Sequence, residues 1–325
     1  MSLGRILKLN NGLPFPQIGF GTWQAKPGEV ERAVTEALKA GYRHVDAALI
    51  YGNSLTVSGN QNEVAQGIKD SGVPREEITL VSKLWNNSHR PQDVEADLDT
   101  SLKQLGTSYL DLWLIHWPVP FVTGKGLAPA SNGKAEIDWN GPSISDTWKE
   151  VVRIYQETNK VKAIGVSNFT VANLQQIIKD TGVVPAVNQI EAHPQLIQPE
   201  LFKFCKDNNI VITAYSPLGN NITGKARVID APAIKEIAAR LGKEPAQVLI
   251  AWGAKNGFAV IPKSVTPSRI ASNFETFDLT DADFEEINTW GKANRVRSNI
   301  PLQYPNNWEI NVFDEEVEKG LKPTW

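Results

Sequence analysis

The sequence predicts a closed (β/α)8 barrel, and three observations carry that expectation. Eight short apolar runs follow one another from Gly19 onward, segments of helical periodicity separate them, and titratable residues gather where the runs end. Parallel strands separated by helices present all their C-terminal ends on one face, and closure leaves no edge strand to protect. The chain has 325 residues, 41% hydrophobic and 21% charged, with no Ser/Gly/Pro tract or charge block dividing it. One domain over residues 1–325 is therefore expected.

Taken in order, residues 5–9 alternate in polarity, Asn11-Gly12 is a hairpin turn, and residues 15–19 return as its partner strand. The next apolar segment ends in Gly19-Phe20-Gly21-Thr22-Trp23. Val30, Ala33, Val34, Ala37 and Leu38 then fall on one helical face. The second strand ends in Asp46, within residues 41–51, and a helix starts near Glu63. The run Thr79-Leu80-Val81-Ser82-Lys83-Leu84-Trp85 follows, then a helix with Val94, Leu98, Leu102 and Leu105 on one face. The run from Tyr109 reaches His116 before Pro118 stops any sheet pairing. Residues 119–143 mix Gly, Pro, Asn and Lys without a period, which inside a compact domain reads as a functional loop. Trp148, Val151, Val152 and Tyr155 restart the helices, strand 161–166 leads to Ser167-Asn168, and Thr170 caps the next helix. Residues 186–191 and 210–215 are two further strands around a helix from about Glu200. A loop, 216–230, follows. Ile234, Ile237, Ala238 and Leu241 mark one helix, residues 248–252 a second, and residues 258–262 the last strand.

The chemistry-bearing residues share an address. A half-buried Asp46 needs a cation, and Lys83, at the end of the next strand, is the obvious candidate. Tyr51 follows Asp46 by five residues and His116 closes the third run. Each has a plainer explanation when taken alone: a structural ion pair, a satisfied core histidine, and packing tryptophans at Trp85 and Trp117. Together they read as a catalytic constellation. A dinucleotide fingerprint is missing, because Gly19-Phe20-Gly21 lacks the third glycine. Loop 215–220 offers amides for a pyrophosphate instead. In residues 262–270, Thr266 and Pro267 read as N-cap and first helical residue, so amides, Lys263 and Arg269 can converge on one anion; as a solvated helix start they would do nothing.

The net charge of −3 and isoelectric point near 5.9 give no basic footprint for nucleic acid or anionic membranes. The single cysteine, Cys205, has no internal partner, no signal peptide or membrane span is evident, and the histidines show no metal spacing. A cytoplasmic protein without a metal is expected.

Residues 41–51, Ser82-Lys83-Leu84-Trp85, Ile115-His116-Trp117-Pro118, Gly165-Val166-Ser167-Asn168-Phe169, Asn188-Gln189-Ile190-Glu191 and Ile261-Pro262-Lys263-Ser264 together resemble the aldo-keto reductases. Within that family the chain looks most like the fungal glycerol dehydrogenases and the glyceraldehyde and pentose (aldose) reductases. The resemblance runs from the first hairpin to the C-terminal tail. It implies a (β/α)8 TIM barrel that binds NADPH/NADP+ in extended form, with Asp46, Tyr51, Lys83 and His116 as catalytic tetrad. It also implies coenzyme contacts from Thr22, Trp23 and Asp46. Ser167, Asn168 and Gln189 would hold the nicotinamide carboxamide and Tyr215 would stack on the ring. Ser216, Leu218 and Asn220 would cover the pyrophosphate, and Lys263, Ser264, Val265, Arg269 and Asn273 would take the 2′-phosphate end. A monomer acting on a small aldehyde or sugar is the expectation that goes with it.

Carbonyl reduction puts negative charge on oxygen as hydride reaches carbon, so an acid must stand close to that oxygen. Free tyrosine, with a pKa of about 10, is a weak donor, and Lys83 is expected to lower that value. A neutral His116 would orient the carbonyl, and Trp23, Ile50, Trp85, Trp117 and Phe121 would form an apolar rim that excludes water. Two departures stand out: residues 54–61 look inserted three positions after Tyr51, and Ser272 replaces a glutamate common near the adenine. A longer surface loop, or a translated intron, accounts for the first more readily than a lid does. The stretch 301–308 is expected to close over the pocket. Two other classes stay open at this point, a Schiff-base lyase using Lys83 and a non-catalytic NADPH-binding subunit.

Overall fold

The computed structural model describes residues 5–51, 59–222 and 224–324. Strands β1 (Ile6–Lys8) and β2 (Pro14–Pro16) pair antiparallel in the register Leu7 to Phe15. Gly12, at φ 89°, takes the left-handed position that the Asn11-Gly12 turn requires. The alternation then begins: β3 (Phe20–Gly21), α1 (Glu29–Ala40), β4 (His44–Asp46), α2 (Gln61–Ser71), β5 (Thr79–Leu84), α3 (Pro91–Leu105) and β6 (Leu112–Ile115). The loop after β6 carries a small hairpin, β7 (Ala130–Ser131) and β8 (Lys134–Ala135), which the aperiodic sequence of 119–143 does not announce. Next come α4 (Ile144–Glu157), β9 (Ile164–Ser167), α5 (Val171–Thr181), β10 (Val187–Glu191), α6 (Pro199–Asp207) and β11 (Val211–Tyr215). The chain continues through α7 (Pro232–Leu241), α8 (Pro245–Lys255), β12 (Ala259–Val260), α9 (Pro267–Phe274) and α10 (Asp281–Ala293) into a tail.

Eight of these strands form one parallel sheet in the order β12-β11-β10-β9-β6-β5-β4-β3. The sheet curls until its first and last strands meet. Ile18 bridges Val260 in parallel, Gly19 donates its amide to the Val260 carbonyl at 2.9 Å, and Val260 donates to Gln17 at 2.7 Å. Strands β4, β6, β9 and β10 are buried at every residue, as strands covered on both faces must be. The helices supply the outer cover with the stripes that the sequence marks out. α1 buries Val30, Ala33, Val34, Ala37 and Leu38, and α3 buries Val94, Leu98, Leu102 and Leu105. Thr170 caps α5 by accepting the Asn173 amide, with the Asn173 side chain returning the bond. Thr266 stands at the N-cap of α9 but makes no side-chain cap; its amide turns back to Ser264 Oγ at 3.1 Å.

Leu9 and Phe15 of the hairpin pack against Val81, Leu112, Leu114, Val187 and Ala259 and so close one end of the sheet's interior. The other end, where the strands finish, is left for chemistry.

Candidate active site

Each polar residue of interest sits where a parallel strand ends. Asp46 is the last residue of β4 and pairs with Val81, so Lys83 lies two residues further along β5, on the same face. Lys83 is fully buried. Its ammonium donates to Asp46 Oδ1 at 2.7 Å, to the Ala47 carbonyl at 2.9 Å and to the Tyr51 hydroxyl at 3.1 Å. All three of its N–H bonds are thus directed at acceptors. Gln189 Nε2 donates to the other carboxylate oxygen, Asp46 Oδ2, at 2.7 Å. Because the Tyr51 oxygen accepts from Lys83, the phenol's own proton is not used in that contact. His116 is edge-on to Tyr51, with ring centroids 5.7 Å apart, and its Nδ1 has no partner among the described residues.

The electrostatics depart from the expectation in one respect. Burial and the Asp46 carboxylate hold the Tyr51 phenol well above its usual range, and burial pulls the Lys83 ammonium down against the support of Asp46. The anticipated depression of Tyr51 by Lys83 is absent, because the pair's charges compensate one another before they reach the phenol. His116 is held well below its ordinary value by burial and by Lys83, which leaves a neutral imidazole.

These groups open into a cavity of about 710 Å³. Asp46, Tyr51 and His116 line it. One end is aromatic: Trp85, Trp117 and Phe121 line it with Trp23 and Ile50, and Trp308 packs among them, 4.7 Å from Phe121 and 5.3 Å from Trp117 between ring centroids. The Trp85 indole N–H is fixed to the Leu127 carbonyl of the long loop, whose Ala128, Pro129 and Ala135 also reach the cavity. Tyr304, Pro305, Asn306 and Trp308 close this end, as anticipated for 301–308.

Other lining residues are polar. Ser167, Asn168, Gln189, Tyr215, Ser216, Leu218, Asn220, Thr22 and Lys263 all line the cavity. Ser167 Oγ donates to the Gln189 carbonyl at 2.8 Å, Asn168 Nδ2 donates to the His116 carbonyl at 2.9 Å, and Tyr215 donates to Asn168 Oδ1 at 2.7 Å. Asn168 (φ 64°) and Ser216 (φ 46°) adopt left-handed backbone, a strained arrangement of the kind found where loops must present groups to a ligand. Gly21 lets the Ile261 carbonyl approach, since a Cβ there would sit 3.0 Å from it, while Lys263 Cβ at 3.7 Å would be in ordinary contact. Lys263 is tied to the Gln24 carbonyl. Ser264, Val265, Arg269 and Asn273 follow Lys263 at and beyond the start of α9 and do not line this cavity. Val265 lines a second hollow, of about 450 Å³, with Arg32, Lys39 and Glu36 of α1.

Residues 54–58 lie outside the described residues. Gly59 is held where a Cβ would come within 2.0 Å of the Leu49 carbonyl. Asn60 is the N-cap of α2, donating Nδ2 to Thr22 O at 2.7 Å, and Gln61 is buried against Ser82 Oγ at 2.6 Å. Residues 59–61 therefore belong to the packed frame. Sequence reasoning also passed over Arg227 and Asn299, both in the cavity lining. Loop residues of this kind carry no periodicity that could have marked them.

The arrangement suits a charge set behind a phenol. Lys83 is behind Tyr51 and its donors are committed, which disfavours attack on a carbonyl carbon. A proton donor, a neutral imidazole and a buried cation converging on one cavity define the chemistry of a carbonyl oxidoreductase. Comparison with known proteins places the chain further: residues 17–292 match the Aldo/keto reductase family, and the chain belongs to that family. It is 47% identical to D/L-glyceraldehyde reductase of Hypocrea jecorina, over 100% of this chain and 98% of the relative. It is 43% identical to glycerol 2-dehydrogenase (NADP(+)) of Saccharomyces cerevisiae, over 95% and 97% of the two chains. The aldose reductase structure from Schistosoma japonicum superposes with a TM-score of 0.84 at 38% identity, covering 96% of this chain and 99% of that one.

Proposed function

We propose that the protein reduces small aldehydes and aldoses, such as glyceraldehyde, pentoses and uronates, to alcohols with NADPH, and runs the reverse oxidation of glycerol and related polyols. The observation that carries this reading is the Lys83 ammonium, held by Asp46 at 2.7 Å, donating to the Tyr51 hydroxyl at 3.1 Å beside the neutral His116.

The residues present fit a nicotinamide coenzyme. A cavity of about 710 Å³ is within the usual range for ligand sites, and it passes from an aromatic end, through a row of amides and hydroxyls, to a lysine. Ser167, Asn168 and Gln189 are the donors and acceptors suited to a carboxamide, Tyr215 offers a ring face, and the backbone of 216–220 can cover a pyrophosphate. Lys263 is the cation in the cavity lining, and Ser264, Arg269 and the first amides of α9, which follow it outside the lining, would complete a site suited to a 2′-phosphate. When bound, the coenzyme supplies the hydride.

The chain's own residues do the rest. His116 donates a hydrogen bond to the substrate carbonyl, which sets its oxygen toward Tyr51. Tyr51 transfers its proton to that oxygen as negative charge gathers there, and Lys83 stabilises the phenolate left behind. Asp46, itself held by Gln189, and the Ala47 carbonyl keep Lys83 in line. Trp23, Ile50, Trp85, Trp117, Phe121 and Trp308 exclude water from the reacting end. The protein acts as a cytoplasmic monomer on this reading.

The test is the fall in absorbance at 340 nm when NADPH is mixed with glyceraldehyde, xylose, arabinose or galacturonate. Turnover of at least one supports the proposal, and absence of turnover with all of them rejects it.

A further inference from the structure

Trp85 enters the cavity from the turn that follows β5, and side chains do little to lock that turn. Residues 86–88 form a single 3-10 turn. The Asn86 carbonyl accepts the Phe121 amide at 2.7 Å, the His89 carbonyl accepts the Thr147 hydroxyl at 2.9 Å, and Asn87 Nδ2 donates to the Gly126 carbonyl at 3.1 Å. Asn86 and His89 are buried, yet neither polar atom of the Asn86 amide and neither ring nitrogen of His89 has a partner among the described residues. Burial pulls the His89 imidazole down to about 3, so it is neutral.

Behind this turn stands Asp97, on the second turn of α3 and 5% exposed. The groups that face its carboxyl are the Ser88 hydroxyl and the backbone of Trp85, and both favour its charged form, so the backbone group is the N–H. Neither carboxyl oxygen is within hydrogen-bond distance of a partner among the described residues, so the contact has room to tighten. Among the described residues, no charged side chain of α2, β5 or α4 acts on this carboxyl. On its own helix Asp93, one turn earlier, accepts the Thr123 hydroxyl at 3.2 Å.

Burial pushes the Asp97 carboxyl up to about 7, while Tyr51 stays well above its usual range and His116 well below. Asp97 therefore changes charge in a range where those two groups do not. A carboxylate accepts hydrogen bonds roughly twice as strong as a neutral acid does, so the charged form draws in the Ser88 hydroxyl and the Trp85 amide. On its other side the Trp85 indole is edge-on to His116, with ring centroids 5.0 Å apart, and 6.0 Å from Phe121. A shift of the Trp85 backbone thus passes directly to the imidazole and to whatever carbonyl lies beside it.

We propose that Asp97 is a positioning residue: its carboxylate draws the 85–88 turn onto α3 and seats Trp85 against His116 and the substrate. The proposal rests on the reductase reading. It gives substrate binding a dependence on pH that neither Tyr51 nor His116 supplies.

The experiment is the KM for glyceraldehyde at saturating NADPH, followed from about pH 6 to about pH 8.5. In the unmodified protein KM should be about fivefold lower at the alkaline end, with the step centred near pH 7 and kcat changing less. Asp97→Asn keeps the shape of the side chain and cannot ionise, so its KM should stay flat at the acid-side value. Trp85→Ala, with Asp97 intact, should lose the step as well, because the effect runs through the indole. NADPH affinity, read by fluorescence quenching, should stay within about twofold across the range. A step that survives in either variant, a flat profile in the unmodified protein, or an equal step in NADPH affinity overturns the proposal. Should Asp97→Asn not fold, the unmodified profile and that of Trp85→Ala decide. Failure of the unmodified protein to reduce any aldehyde sinks the reductase reading instead. The seating of Trp85 is then read from tryptophan emission: a change near pH 7 that Asp97→Asn abolishes upholds it, and emission that does not change there refutes it.

Discussion

Replacing Lys83 by methionine separates two things that one ion pair does. The side chain is fully buried and pairs with Asp46 at 2.7 Å, so Lys83→Met leaves a carboxylate in the interior without its cation. Breaking a buried pair from one side costs about 3–5 kcal/mol, and the surviving bond from Gln189 to Asp46 Oδ2 puts the cost toward the lower figure. The catalytic loss has a different origin. At 3.1 Å from the Tyr51 oxygen, a unit charge attracts the phenolate by about 5 kcal/mol at an effective dielectric constant of 20. The Asp46 carboxylate opposes part of this, leaving roughly 3 kcal/mol, or about a hundredfold in rate. The double variant Asp46→Asn with Lys83→Met removes both charges and with them the stranded carboxylate. It should regain most of the stability in urea unfolding yet stay about a hundredfold below the unmodified protein in kcat/KM. A double variant that recovers activity to within about tenfold would show that the ammonium serves packing and charge balance, and the phenolate argument would be wrong.

Tyr51→Phe should lower kcat by at least about a hundredfold with NADPH affinity little changed, since only the proton donor is lost; comparable turnover by the variant would remove Tyr51 from its role. Lys263→Met should reduce the preference for NADPH over NADH about tenfold or more in kcat/KM, while Arg269→Ala, at an exposed site outside the cavity, should do less. Equal effects on the two coenzymes would place the 2′-phosphate elsewhere. Asp97, buried on α3, has its carboxyl pushed up to about 7 by burial, against the opposing Ser88 hydroxyl and Trp85 backbone. The native state therefore holds a proton there that the unfolded chain has released, so this group lowers stability as pH rises from about 4 to about 7. Asp97→Asn should stabilise the protein by up to about 4 kcal/mol at pH 8, and the gain should fade to nothing near pH 4; a gain independent of pH would contradict the assignment.

The barrel was legible because its signals are local and repeated. The stripe of Val30, Ala33, Val34, Ala37 and Leu38 is the face that α1 buries, and the apolar runs ending in Asp46, Lys83 and His116 are adjacent strands of one sheet. The convergence of those three with Tyr51 followed from the rule that parallel strands end on one face. What could not be read is what depends on pairings between distant loops. Asn299 lines the cavity where Glu191, 108 positions earlier, accepts its amide, and neither residue carries a pattern linking it to the other. The β7–β8 hairpin and the Trp85 bond to Leu127 are likewise set by tertiary contact. The acidity of Tyr51 was misread for a related reason. A neighbouring ammonium lowers a phenol's pKa only if its charge is not already answered, and the sequence names both Lys83 and Asp46 without giving the order of their distances.

That misreading bears on how such a site must be built. A lone ammonium as deeply buried as Lys83 would shed its proton, so it needs the Asp46 carboxylate to stay charged. The carboxylate that keeps it charged also cancels part of its field at Tyr51, and with burial added the phenol rests in its protonated form. A resting acid strong enough to ionise would be useless for reduction, because its proton would be gone before the substrate arrived. The pair therefore contributes little while the phenol is neutral and most once the proton has moved, when the Lys83 contact at 3.1 Å faces an anion. Stabilisation confined to that moment lowers the barrier without tightening the ground state. The geometry fits this division of work: Asp46 faces Lys83 and Gln189, and Lys83 alone hands its last N–H to Tyr51.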